Sequence, residues 1–228
     1  MGATPAVEHG RRATTGAARD LRVTEIFLSI QGESTLAGLP TVFVRLTGCP
    51  LRCRYCDTAY AFHGGRSVPL ATLLDEVAAF GVRHVTVTGG EPLAQKGSLA
   101  LLRALCDRGH VVSLETSGAL DVGGVDPRVI KILDIKTPGS GEAARNRWAN
   151  LALLGPADQI KFVLTDRADY EWARARLPQL PAGREVLFSP AWGRLEPAEL
   201  AEWILADRLP VRLQLQLHKV LWGDEPGR

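Results

Sequence analysis

Apolar residues recur along this chain with two alternating periods. Positions 23–30 (VTEIFLSI) and 41–46 (TVFVRL) are rich in β-branched and aromatic residues and read as strands. Positions 67–80 (SVPLATLLDEVAAF) carry apolar residues at helical spacing, with Ser67 as N-cap, Pro69 early and Gly81 as the stop. Further strands are expected at 83–88, 110–115, 129–135, 159–164, 185–188 and 211–217, with helices at 99–108, 142–154, 167–177 and 197–207. That alternation argues for parallel βαβ units joined by right-handed crossovers.

Polar and glycine residues gather where nearly every strand ends: Gln31-Gly-Glu, a cysteine loop after 46, Gly-Gly-Glu, Glu-Thr-Ser, Asp-Ile-Lys, Ser-Pro-Ala-Trp and His-Lys. In a (β/α) barrel that rim is where active sites form, and a complete eight-fold barrel takes about 250 residues. With 228 residues, no internal repeat and no linker, the expected fold is α/β, an incomplete, open (β/α) barrel forming one domain over 21–228. Residues 1–20 have almost no large apolar side chains, cannot offset their ordering entropy, and are expected to be a disordered tail. Their start is similar to a myristoylation signal, but Ala6 stands where Ser or Thr is wanted.

Hydrophobic content of 46% and charged content of 23% are ordinary for a globular protein. A net charge of +2 supplies no strong field for nucleic acid or an anionic membrane. No apolar run approaches the ~20 residues that span a bilayer. The site is therefore expected to recognise something small, in a reducing cytoplasm, since no signal peptide points to an oxidising compartment.

The densest chemistry is Cys49-Pro50-Leu51-Arg52-Cys53-Arg54-Tyr55-Cys56-Asp57-Thr58, a C-x3-C-x2-C spacing delivered by the 41–46 strand. Soft thiolates select zinc, copper(I) or iron–sulfur clusters. Three closely spaced cysteines can hold one corner of a [4Fe–4S] cluster and leave its fourth iron free for a small-molecule cofactor. A structural zinc would need four ligands, and His63 and Cys106 are candidates for the fourth; disulfides are a third possibility. Cys106 shares an apolar helix face with Leu99 and Leu102 and reads as core. One helix after the cysteines, the 83–88 strand opens into Gly89-Gly90-Glu91-Pro92, where a backbone can approach a ligand closely. Arg45 is a lone cation inside an apolar run, either facing solvent or clamping an anion, since a guanidinium forks onto carboxylates.

The cysteine spacing is the signature of the radical S-adenosylmethionine (SAM) enzymes. Together with EIFLSIQGES, TVFVRLTGCPLRCRYCDTAY, VTVTGGEP, LETSG, ILDIKTP, DQIKFVLTD and QLHKVLWG, the chain resembles the 7-carboxy-7-deazaguanine synthases over residues 22–222. These are radical SAM enzymes of 7-deazapurine (queuosine) biosynthesis. Ile-Gln-Gly-Glu before the cysteines and Cys-Asp-Thr at their end narrow the match within the superfamily.

The resemblance implies a barrel of the radical SAM type that converts 6-carboxy-5,6,7,8-tetrahydropterin to 7-carboxy-7-deazaguanine. SAM supplies the radical that takes a hydrogen from C6, the ring contracts, ammonia leaves, and the returned hydrogen makes SAM a cofactor. By motif position, Cys49, Cys53 and Cys56 would hold the [4Fe–4S] cluster. SAM would lie against Tyr55, Asp57, Gly90, Asp134, Ile135, Lys136, Ser189, Pro190, Ala191 and Trp192. Substrate contacts would come from Ile30, Gln31, Gly32, Glu33, Arg45, Thr88, Glu115 and His218. Thr58 would bind Mg2+, an ion that keeps several waters and takes few protein ligands. A homodimer and a reducing partner such as flavodoxin or ferredoxin are implied as well. One departure is visible: some members end soon after the His-Lys pair, whereas this chain continues through 220–228, so either Trp222 or Asp224 replaces the contact of a terminal carboxylate or the tail packs outside.

Two other functions share part of the signal. A glycyl-radical activating enzyme has the same cysteine spacing and a Gly-Gly-Glu loop, but must admit a protein loop and has no reason for Gln-Gly-Glu plus Cys-Asp-Thr. A zinc-stapled binding module without catalysis would use the cysteines alone.

Overall fold

Strand pairing sets the architecture. In a computed structural model, which describes residues 20–225 and 227, a single sheet contains β1 (Leu21–Ile30), β2 (Pro40–Leu46), β3 (Arg66–Val68), β4 (His84–Gly89), β5 (Val111–Thr116), β6 (Ile130–Asp134), β7 (Gln159–Leu164), β8 (Glu185–Pro190) and β9 (Arg212–Leu213). Its order is β3-β1-β2-β4-β5-β6-β7-β8-β9, so β3 and β9 remain as unjoined edges of an open barrel. From β2 to β9 every neighbouring pair is parallel. Helices α1 (Leu70–Ala78), α2 (Ser98–Asp107), α3 (Arg167–Arg174) and α4 (Pro197–Asp207) fill the crossovers, and α5 (Leu217–Trp222) follows the last strand. The stretch expected to be a tail, with its myristoylation-like start, lies outside the described residues apart from Asp20, whose Oδ2 accepts from Ser67 Oγ at 3.0 Å.

The parallel alternation fails at the start. β1 pairs antiparallel with both β2 and β3. Residues 31–39 are too few for a parallel crossover, which takes about a dozen, and the backbone closes instead through Gln31 N–H to Leu39 O at 2.9 Å. Ser67 consequently belongs to β3, opposite Arg22, and Pro69 is the residue that caps α1. The helix expected over 142–154 is two short 3-10 segments, Ala143–Arg145 and Trp148–Leu153. Its asparagines compete with the helix for backbone groups. Asn146 clamps both the N–H and the C=O of Lys136 at 2.8 Å, and Asn150 donates to Gly118 O and Leu120 O at 3.1 and 2.7 Å. The last strand is two residues long rather than seven, and His218 and Lys219 sit on α5.

Period-two alternation divides each parallel strand between two environments. Val42, Val44, Leu46, Val85, Val87, Val112, Leu114, Ile160 and Phe162 point outward into the layer beneath the helices, where they meet Leu73, Leu101, Leu105 and Tyr170. The intervening residues face the barrel interior: Phe43 and Arg45, Thr88, Glu115, Ile132 and Asp134, Lys161 and Val163. Covering both faces of a parallel sheet is what its strands require. Here the inner covering is in large part polar and charged.

After β9, α5 reaches across the rim to the turn that follows β1. Leu217 N–H donates to Gly32 O at 3.0 Å, and a Cβ built on Gly32 would collide with the His218 ring and backbone N. Gly32→Ala should therefore lift α5 away from the turn after β1, at roughly 1–3 kcal/mol by analogy with other overpacking changes. Denaturant unfolding combined with amide exchange across 217–222 checks this; unchanged protection there would show that α5 is held elsewhere.

Candidate active site

The inward residues and the strand-end loops enclose a cavity of about 480 Å³. Its upper wall is the cysteine loop, which the chain pins at several points. Gly48 N–H donates to Ala61 O and Glu91 N–H to Gly48 O, both at 2.8 Å, while Arg54 N–H reaches Ser140 O at 2.9 Å. Gly48 needs its glycine, at φ 97°. Gly90 needs its own because a Cβ there would strike the Gly48 carbonyl and the Cys49 side chain. The carboxylate of Glu91, fully buried, accepts from Leu93 N–H, Thr116 Oγ1, Ser117 N–H and Ser117 Oγ at 2.5–3.0 Å. The double-glycine loop is thus tied to the end of β5 and to the cysteines together.

Cys49, Cys53 and Cys56 all line the cavity and are unpaired. Burial pushes all three thiols up, Cys53 to about 11, despite the Lys136 ammonium nearby. Left alone they would stay protonated, so whatever binds them as thiolates must bring positive charge. Among the described residues no three His, Cys, Asp or Glu side chains converge on one metal ion. A cubane asks for something else, one thiolate at each of three separate irons, and three thiols spread around one cavity match that demand better than a tetrahedral zinc site. Cys106 lies on α2 packed against the core, and His63 does not line the cavity.

Beside the thiols stand two buried polar atoms with no protein partner among the described residues, Tyr55 Oη and Asp134 Oδ1. The other oxygen of Asp134 takes Lys136 Nζ at 2.8 Å. Burial opposes the Lys136 charge, but Asp134 outweighs it and keeps the ammonium well above its ordinary range. Unpartnered buried donors and acceptors are costly, and here they face space that a polar cofactor can fill. Ala191 and Trp192 line the same cavity, Trp192 half-exposed. Ile135 packs in the core, Ser189 is buried in β8, and Pro190 lines a neighbouring cavity of about 310 Å³.

Another part of the wall is the turn after β1, which Gln216 Nε2 links to Asp57 of the cysteine loop. Gln31 donates through Nε2 to Thr86 Oγ1 at 2.9 Å and accepts from Glu33 N–H at 3.1 Å, so its amide braces the turn. Glu33 is held on one oxygen by Lys161 Nζ and on the other by Gln216 Nε2 at 2.9 Å. Burial alone would raise its carboxyl, yet the Lys161 ammonium wins and holds it below the usual range. Glu115, bonded by Thr88 Oγ1 at 3.0 Å, is pushed the other way by burial and by the charge on Glu33. Burial also lowers His218. Ile30 lines the cavity, whereas Gly32 lies beneath the His218 ring. Thr58 Oγ1 donates to Asp57 Oδ1 at 2.8 Å, and Gln216 Nε2 reaches Asp57 Oδ2 at 3.1 Å.

Arg45 is not alone, as the sequence suggested: its Nε donates to Glu25 Oε1 at 2.6 Å. Sequence reasoning assigned no site role to Lys161, Gln216 or Lys219, all of which line the cavity; Asp224, which it did name, lines the cavity beyond the end of α5. Lys161 carried the same signal as Arg45, one cation inside an apolar strand. Gln216 and Lys219 lie just before and in α5, which the apolar pattern did not reveal.

Residues 43–135 match the Radical SAM superfamily. The chain is 51% identical to the 7-carboxy-7-deazaguanine synthase of Chlorobaculum tepidum over 90% of its own length and 96% of that protein's. The chain belongs to the 7-carboxy-7-deazaguanine synthase family. The Koribacter versatilis synthase is 43% identical over 90% of this chain and 98% of its own. Among solved structures, QueE from Escherichia coli matches with TM-score 0.72 and 25% identity, covering 87% of this chain and 95% of that one. A [4Fe–4S] cluster and SAM are the cofactors this membership carries, and the open barrel is the radical SAM fold. Neither the zinc-stapled module nor the glycyl-radical activating enzyme is favoured.

The buried Lys161–Glu33 pair generates a prediction with a definite pH sign. Because the folded-state carboxyl of Glu33 is lowered, the pair contributes stability above the ordinary carboxylate range and loses it as pH falls through the folded value. Lys161→Met should cost about 3–5 kcal/mol near neutral pH, the usual penalty for a buried charge left alone. The gap to wild type should shrink as pH falls below the ordinary carboxylate range and Glu33 of the wild type protonates. Urea unfolding across pH measures it, and a gap independent of pH would reduce Lys161 to the packing of its stem.

Proposed function

We propose that this chain contracts 6-carboxy-5,6,7,8-tetrahydropterin to 7-carboxy-7-deazaguanine with loss of ammonia, as a carbon–nitrogen lyase of 7-deazapurine biosynthesis. The carrying observation is that one cavity joins the three-cysteine loop to a charged inner barrel wall, in a chain 51% identical to a named synthase. Cys49, Cys53 and Cys56 hold the cluster. Tyr55, Asp57, Gly90, Asp134, Lys136, Ala191 and Trp192 receive SAM, with Ile135, Ser189 and Pro190 shaping the strand ends behind them. Bound there, the two groups supply the radical chemistry, and the protein orients the reactants and excludes competing reactions.

The substrate lies against β1, β2 and β5. Ionised Glu33 accepts from the N–H-rich edge of the pterin, Glu115 meets a substrate acceptor, and Arg45 takes the carboxylate. Ile30, Thr88 and His218 line its plane, while Gln31 and Gly32 hold the turn that presents Glu33. The Thr58 hydroxyl has its proton on Asp57, which leaves its lone pairs for Mg2+. A small-molecule substrate agrees with the cavity's size. No helix among the described residues is long and apolar enough to cross a membrane, and a cytoplasmic homodimer reduced by a flavodoxin or ferredoxin completes the proposal.

Product analysis under anaerobic conditions with the carboxy-tetrahydropterin, SAM, Mg2+ and reductant tests the reaction. Reconstituted wild type should carry about four iron and four sulfide. Cys49→Ala, Cys53→Ala and Cys56→Ala should each lose them along with product, and Cys106→Ala should keep both. Stoichiometric zinc in wild type would overturn the cluster assignment.

Thr58→Ala should remove most of the stimulation by Mg2+ while leaving the iron content and SAM affinity unchanged. Equal activity of wild type with and without divalent ions would defeat the metal site.

A further inference from the structure

The pairing of β1 with β2 is irregular at one place. Val23 lies opposite Leu46, yet Glu25 lies opposite Arg45 and Ile26 opposite Val44. Regular antiparallel counting from Val23 would set Thr24 against Arg45 and Glu25 against Val44, on the face buried beneath the helices. One extra residue, a β-bulge, shifts the phase. Its side chain is anchored, Thr24 Oγ1 lying 2.8 Å from Thr47 Oγ1. Val23 can thereby stay in the core, Phe27 lines the cavity, and Glu25 turns onto Arg45. Bulges re-aim side chains next to functional sites in this way.

The re-aimed carboxylate does one thing. Glu25 Oε1 accepts from Arg45 Nε at 2.6 Å and from Tyr60 Oη at 2.7 Å. Tyr60 comes from the turn just beyond Thr58. The rings of Phe27 and Tyr60 lie 5.7 and 5.8 Å from Arg45 Cζ, and Phe27 is itself stacked on Phe43. Nε is the only guanidinium nitrogen of Arg45 with a hydrogen-bond partner among the described residues. A guanidinium offers a carboxylate two bidentate edges on its accessible side, Nε with one Nη or the two Nη together. Glu25 occupies the first.

We propose that Glu25, steadied by Tyr60, is a positioning residue that holds Arg45 so that its two Nη nitrogens receive the substrate carboxylate end-on. This rests on the reading of Arg45 as the carboxylate contact. Glu25 also cancels much of the charge of Arg45, so a carboxylate is selected by the direction of its two oxygens rather than by net attraction. A pterin with a neutral group at C6 gains nothing there.

The test is calorimetric titration of anaerobic, cluster-loaded protein with SAM and Mg2+ present. Two ligands are compared: the carboxy-tetrahydropterin and an analogue lacking the carboxylate. Arg45→Ala should cost the carboxylate ligand ten- to a hundredfold, and the analogue little. If it does not discriminate between them, the reading of Arg45 itself fails. If it does, Glu25→Ala should weaken the carboxylate ligand about tenfold, leave the analogue and SAM affinity unchanged, and add nothing on top of Arg45→Ala. Glu25→Gln, which keeps an acceptor for Nε, should recover most of the loss. Tyr60→Phe keeps the ring and removes one hydroxyl, and should give a smaller loss in the same sense, which tests the brace even where Glu25→Ala fails to fold. Equal weakening of both ligands, or additivity of Glu25→Ala with Arg45→Ala, would overturn the proposal and leave Glu25 a structural residue.

Discussion

An open barrel must keep charged groups inside a wall that does not close, and the Lys161–Glu33 ion pair is the contact on which that wall depends. Lys161 rises from β7, Glu33 from the turn after β1, and Gln216 from the segment entering α5, so one carboxylate joins three parts of the chain that no strand pairing connects. Buried pairs of this kind add little net stability over an apolar substitute, but losing one partner is severe. Their retention here has a chemical reason. They hold an ionised carboxylate at a fixed place beside a cavity that must read a hydrogen-bonding edge.

The same logic extends around the interior. Period-two strands give the helices an apolar face and leave the opposite face free to carry Arg45, Thr88, Glu115, Asp134 and Lys161. A polar inner layer is tolerable only when nearly every group finds a partner. Most do: Gln31 with Thr86, Thr86 with Ser113, Thr88 with Glu115. Two of the exceptions, Tyr55 Oη and Asp134 Oδ1, lie next to the cysteines, where the SAM site proposed above would supply the missing partners.

Much of this was legible in the order of residues. Six parallel-sheet strands, β2 and β4 to β8, stand out because they are runs rich in Val, Ile, Leu, Phe and Thr bounded by glycine, proline or charge, and the cysteine and double-glycine loops follow two of them. What escaped has physical causes. Antiparallel β1 carries no mark of its pairing partner, since strand direction is decided by the length of the connection rather than by the strand itself. The 142–154 segment has helical composition, but Asn146 and Asn150 bond to distant loop backbones that local reasoning does not contain. The bulge that places Glu25 opposite Arg45 arises from registry between two strands, so Arg45 looked unaccompanied. The α5 helix is too short to show a period.

The cavity's charges, taken together, show how such a site discriminates. Arg45 faces Glu25, Lys136 faces Asp134, Lys161 faces Glu33, and Lys219 faces Asp224 at 2.6 Å, with Asp57 3.7 Å away. Four of the cations lining the cavity thus already have a carboxylate, and Arg54 and Arg194 line it as well. The sequence left open whether Trp222 or Asp224 would take the position of a terminal carboxylate, and it is Asp224 that lines the cavity. A wall balanced in this way has no strong net field to draw in anions at large. It can only reward a ligand whose donors and acceptors meet particular edges, because electrostatic complementarity contributes specificity more than raw affinity. A substrate with a carboxylate at one end and an amide edge at the other has both features to satisfy, and a sulfonium cofactor can share the cavity without being repelled by it.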